Sequence, residues 1–209
     1  MGLLYYGDMK QTVFSDELEG WLHSKSPKTI QSLSDVFAEK SFAIAILILM
    51  FFPTLPIPTG GITHVFELIV MLLSLELMIG RRKIWLPKKW QSKHLGKTMK
   101  HKITPMIIKK IRWFERYSRP RLGSAINHNV TMRFLGALFF VFALAAFVSP
   151  PFAGLDTVPS LGAVIVALAL ILDDVLLMAF GTLIGALGVG LVIASGGITI
   201  GIVRHFLNF

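Results

Sequence analysis

The amino-acid sequence predicts an all-α, polytopic helical membrane protein, and three observations carry the prediction. Hydrophobic residues fill 54% of the 209 positions and charged residues only 16%, where a soluble domain carries charge on about a quarter. Mean hydropathy is +0.66, and the apolar residues fall into blocks separated by charged stretches. The formal net charge of +9 is also concentrated, because Arg81–Arg133 holds most of the Lys and Arg against the single acid Glu115. Lys and Arg beside membrane segments are retained inside, so this stretch reads as a cytoplasmic loop. Its apolar flanks speak against the other use of such a basic block, a nucleic-acid surface.

Residues 1–40 are mildly acidic: Asp8, Asp16, Glu17, Glu19, Asp35 and Glu39 outnumber Lys10, Lys25, Lys28 and Lys40. Met1–Lys10 shows no basic region followed by an apolar core, so the first apolar block is expected to act as an uncleaved anchor. Tyr6 stands where a myristoylation motif wants Ser or Thr. Residues 11–40 read as one or two amphipathic helices docking on the membrane domain. Ser26 caps the second, Pro27 takes its first position, and Ile30, Leu33 and Phe37 share one face.

Residues 41–80 form a first membrane hairpin. Ser41–Phe52 is apolar but spans only about half to two thirds of a ~30 Å hydrocarbon core. Pro53, Pro56 and Pro58, followed by Gly60 and Gly61, forbid a helix and impose extended backbone. Ile62–Ile79 is an apolar helix of near spanning length, ending at Gly80 before Arg81, Arg82 and Lys83.

Residues 81–133 form the basic segment. Trp85 and Trp90 place indole rings at headgroup level. Further on, Ile103, Met106, Ile107, Ile111, Phe114 and Tyr117 make one helical face, opposite Lys109, Lys110, Arg112 and Arg116. Such a helix is expected to lie in the interface, held by apolar burial and by anionic lipid.

Residues 134–209 repeat the theme. Phe134–Val148 reads as a second short arm, stopped by Pro150 and Pro151 and a loop through Asp156 to Pro159. Leu161–Phe180 reads as a longer helix. Gly181–Val203 follows as a glycine-rich one, whose small residues suit close packing in the interior or across a homodimer seam. A shift that lays Pro53 on Pro150 also lays Leu68–Leu75 on Ile165–Leu172 and Glu76 on Asp173. This suggests a duplicated helix–proline loop–helix unit, as in secondary transporters built from repeats of broken helices. Arms too short to span are expected to be re-entrant hairpins buried in protein. Parallel and inverted repeats both stay open.

Acids within apolar helices are the candidate working groups, since mid-membrane charge is expensive and marks function. Glu67 lies well inside the second apolar block, with His64 one turn away on the same face and no Lys or Arg nearby in sequence. Two ligands do not make a metal site, so a hydrogen-bonded or proton-exchanging pair is expected, with no metal and no cofactor. Glu76 stands one turn from Gly80 and Arg81, where pairing with arginine at the interface is the plain alternative to function. Asp173 and Asp174 are adjacent, and a helix end between two spans is the plain alternative for them. No nucleophile elbow, P-loop or zincin helix is present, and cysteine is absent. A non-enzymatic role is therefore expected.

Asp35–Lys40 before an apolar arm, Pro53–Gly61, Leu72–Arg82 and Trp85-Leu86-Pro87 together resemble the ExoD family of exopolysaccharide-synthesis membrane proteins. Arg119-Pro120-Arg121-Leu122 and Pro159–Asp173 are similar to its later segments, so the resemblance covers roughly residues 26–185. Leu172 and Asp174 depart from the Arg and Gly common in the family on either side of the second-half acid, and Glu76 stands where Gln is common. The resemblance implies a multi-pass protein of the bacterial inner membrane connected with exopolysaccharide production. It brings no defined reaction, so no catalytic residues carry over. The expected role is a small carrier with intramembrane acids; the alternative is a non-catalytic assembly factor for a polysaccharide synthase. The expected partners are anionic membrane lipids, a second copy of the chain and polysaccharide-synthesis proteins, not nucleic acid.

Overall fold

Where prolines, glycines and acids interrupt the apolar runs, the chain breaks into helices. The computed structural model describes residues 14–25, 29, 39–55, 61–81, 83–85, 108–109, 112–113, 129–149 and 154–207, with side chains as far as residue 197. The main helices are α1 (Phe14–His23), α2 (Glu39–Phe51), α3 (Ile62–Ile79), α4 (Asn129–Val148), α5 (Thr157–Leu172) and α6 (Val175–Leu207). Among the described residues there is no strand. By length and composition, α3, α4 and Val175–Gly197 of α6 can each cross a membrane, whereas α2 and α5 are shorter apolar helices.

Each break has a local cause. Asp16 and Glu17 sit in the first turn of α1 and His23 in its last, matching the sign of the helix dipole. α2 stops at Phe51, two residues before Pro53. α3 closes at Gly80, whose φ of 91° is left-handed and whose N–H reaches the carbonyls of Glu76 and Leu77. The Arg81 N–H also donates to the Glu76 carbonyl at 3.1 Å, a wrapped C-terminus that favours glycine. α5 closes the same way on an aspartate. Asp173 has φ 55°, its N–H returns to the Ala169 carbonyl, and the Asp174 N–H donates there too at 3.0 Å. Aspartate tolerates this conformation better than most side chains. Asp174 then starts α6, its Oδ1 accepting from the N–H groups of Leu176 at 3.0 Å and Leu177 at 3.2 Å.

Three sequence expectations change. The second arm is no short stub, because α4 begins at Asn129 rather than Phe134 and is long enough to cross. The apolar run Leu161–Phe180 is two helices, split at Asp173–Asp174. Pro159, read as loop, lies in the first turn of α5, where proline is tolerated because that N–H has no intrahelical acceptor. It packs there against α6: a Cβ on Gly188 would come within 2.5 Å of the Pro159 nitrogen.

The helices pack as antiparallel neighbours. α3 lies along α4, so that a Cβ on Gly136 would meet the Met78 nitrogen at 2.7 Å, while the rings of His64 and Phe147 stack 5.4 Å apart at the other end. α5 lies along α6 through glycines: a Cβ on Gly162 would run into the backbone of Gly185, and one on Gly181 would stand 2.8 Å from the Val166 nitrogen. Small residues here let the backbones approach closely. The start of α2 meets the end of α5, where Lys40 Nζ bonds the Ile171 carbonyl at 3.2 Å and Asp173 at 2.9 Å.

These contacts define two ends. Lys40, Gly80, Arg133 and Asp173 lie at the basic end. Pro53, Gly61, Ser149 and Asp156 lie at the other, the proline end. α2 packs on α5 and α3 on α4, with lesser contacts of α2 on α3 and α4 on α5.

Candidate functional site

The site begins with the sidedness of α3. Val65, Leu68, Leu72, Leu75 and Ile79 face outward, whereas the inward stripe is Thr63, Glu67, Val70, Ser74 and Leu77. The helix is thus apolar outside and partly polar inside, the reverse of a helix on a soluble protein and suited to a polar interior within lipid. Ser74 satisfies its own hydroxyl by donating to the Val70 carbonyl at 2.7 Å.

Glu67 has no such relief. It is fully buried, and neither carboxylate oxygen has a hydrogen-bond partner. His64 Nδ1 lies 3.0 Å from Glu67 Oε2, yet the two groups are not aligned as donor and acceptor, and Nδ1 is likewise unpartnered. The imidazole is partly exposed, 28% against 0% for Glu67, so it stands between the acid and the surroundings. Asp156 stands at the head of α5, at the same end of the bundle. One turn along α5, Ser160 is fully buried with its Oγ unpartnered. Buried polar groups are nearly always bonded, and the unpartnered ones here stand on two helices near the proline end, with Asp173 Oδ1 a further one at the basic end.

The remaining candidate acids lie at the basic end and are occupied. Asp173 Oδ2 pairs with Lys40 at 2.9 Å, and Asp174 caps α6. Glu76 accepts the Trp85 backbone N–H at 2.7 Å through Oε2. Arg81 is exposed. A Cβ on Gly80 would come within 3.2 Å of Arg133, which puts that guanidinium against the α3 terminus, whose dipole favours a cation.

Of the basic face, Lys109 is exposed, and Arg112 bonds Asp16 and Glu19 of α1. Those bonds, that to Glu19 first, hold the Arg112 guanidinium above its ordinary pKa. Ile108 is buried in the apolar cluster that includes Leu18 and Trp21. Lys110, Arg116, Arg82, Pro56, Pro58, Gly60, Pro150 and Pro151 lie outside the described residues, as do Ile30, Leu33 and Phe37. Among the described residues no three His, Asp or Glu side chains gather as metal ligands.

Lys40, Asp156 and Ser160 were not singled out by motif reasoning. One signal was available for Ser160: the shift that lays Pro53 on Pro150 lays Thr63 on Ser160, and both are buried.

Residues 14–194 match the protein family described as "Exopolysaccharide synthesis, ExoD". An uncharacterised protein of Synechocystis sp. is 29% identical over 195 residues, covering 89% of this chain and 91% of that one. Protein ExoD of Rhizobium meliloti is 27% identical over 187 residues, covering 84% of this chain and 74% of its own. No solved structure matches.

Proposed function

This chain belongs to the ExoD family, which ties it to exopolysaccharide synthesis, and on that premise we propose that it is a small carrier of the bacterial inner membrane. The observation that supports a carrier most is Glu67, a buried carboxyl without a hydrogen bond at the proline end of a membrane-length helix. An ionised group in that setting is costly unless a ligand, ion or proton offsets it. The paired packing of α2 on α5 and α3 on α4 is consistent with duplicated units working against each other about the site. In this reading the basic end faces the cytoplasm and anionic lipid.

The test is reconstitution in liposomes with measurement of proton, ion and lipid-linked sugar flux, alongside exopolysaccharide output in cells. Glu67→Gln is expected to abolish flux and lower output. Unchanged flux and output in that variant reject the carrier mechanism.

A second reading, an assembly factor that holds a polysaccharide synthase, draws on one observation. The basic segment is tied to the acidic helix α1 through Arg112, Asp16 and Glu19, which presents Lys109 outward. Charge reversal at Lys109, Lys110 and Arg112 then abolishes output while Glu67→Gln stays active, and synthase components co-purify.

A further inference from the structure

We infer that Glu67 and His64 form an exchangeable proton site opening at the proline end. The inference deepens the carrier reading, and rests on it, by naming the proton as the bound ion.

The geometry favours a proton over a metal. Glu67 has one polar side chain close by, His64 Nδ1 at 3.0 Å, and among the described residues no third carboxylate or imidazole completes a metal set. An imidazole and a carboxyl at this separation need only small rotations to share one proton. The surrounding charges agree. From α5 the charged residue at this end is the acid Asp156, at the head of the helix. From α4 the charged residue is Arg133, at the opposite end against Gly80. From α2 the described charged side chain is Lys40, in the first turn at that same far end. No described cation neutralises Glu67, so a proton can.

Position sets the route. Glu67 is fully buried, and His64, one turn nearer the helix start, is partly exposed. Glu67 therefore lies only ~8 Å along the axis from the start of α3. In the release step the Oε2–H bond of the neutral carboxyl breaks and an N–H bond forms at His64 Nδ1, giving a carboxylate–imidazolium pair. The imidazolium then loses its Nε2 proton to water, leaving neutral imidazole protonated on Nδ1 and one net proton released. Uptake runs through the same bonds in reverse.

Infrared difference spectroscopy on the full chain in lipid bilayers, titrated between about pH 5 and 9, tests the site without requiring transport. The expected result is a protonated-carboxyl C=O band that shifts in D2O, fades as pH rises and is missing from Glu67→Gln. Glu67→Asp, which keeps the acid, should move the band rather than remove it. In His64→Gln the release after a pH jump should slow on the order of a hundredfold. A spectrum with no band assignable to Glu67, or a band displaced by sodium at constant pH but indifferent to pH, overturns the inference. The two readings fail separately. A titrating Glu67 without liposome flux supports the proton site and removes the carrier, whereas flux with a non-titrating Glu67 overturns the site and keeps the carrier.

Discussion

At the basic end of the bundle the acids are hydrogen-bonded; at the proline end the central acid makes no hydrogen bond and has only the His64 ring beside it. Asp173 holds Lys40, Asp174 caps α6, Glu76 takes the Trp85 N–H, and Asp16 and Glu19 hold Arg112. Glu67 and Ser160 are more deeply buried than any of these and make no hydrogen bond. A fold selected for stability alone would treat the two ends alike, since an unsatisfied buried polar group costs about 1–3 kcal/mol. The basic end holds its acids in bonds, and the proline end carries the cost of an unbonded one, the kind of local cost that functional sites often keep.

Variants break or sharpen this contrast, and the largest effect belongs to the seam that joins both ends. Gly162→Val drives a side chain into the Gly185 backbone, and forcing α5 from α6 is expected to cost more than about 3 kcal/mol. Size-exclusion chromatography and thermal melting in detergent should show loss of the folded monodisperse species.

Next comes the basic end. Lys40→Ala strips Asp173 and the Ile171 carbonyl of their donor, and Asp174→Ala strips two N–H groups of α6. Each is expected to destabilise by about 1–2 kcal/mol, read as a lowered melting temperature with residual flux in the protein that stays folded.

Glu67→Gln should do the reverse. Replacing an unpartnered buried acid by its neutral isostere is expected to leave stability unchanged or raise it by up to about 2 kcal/mol, while flux disappears. The smallest effect is Arg112→Glu, an exposed pair screened by salt. Hydrogen exchange at α1 should rise at low ionic strength and match the parent at high salt.

Much of the scaffold was legible because its signals are local. Pro53 ends α2, Gly80 ends α3, and the glycines of α6 announce close packing, of which Gly181, Gly185 and Gly188 face the bundle. Glu67 stood out because it lies inside an apolar helix with no nearby cation. What was hidden depends on contacts distant in sequence or on backbone conformation. Asn129, Thr131 and Arg133 are polar, so hydropathy starts α4 too late, although in the fold they form its first turns. The break at Asp173 is a left-handed residue within apolar sequence, a place where glycine would have been readable and aspartate was not. Lys40 and Asp173 are 133 residues apart, so no periodicity links them.

The division of labour between the ends is tested most directly by proton flux into liposomes, with thermal stability measured on the same preparations of Glu67→Gln and Asp173→Asn. The expected outcome is a stable Glu67→Gln that conducts nothing, beside a less stable Asp173→Asn that still conducts. Equal flux in Glu67→Gln and the parent, or loss of flux only in step with loss of folded protein, would contradict it.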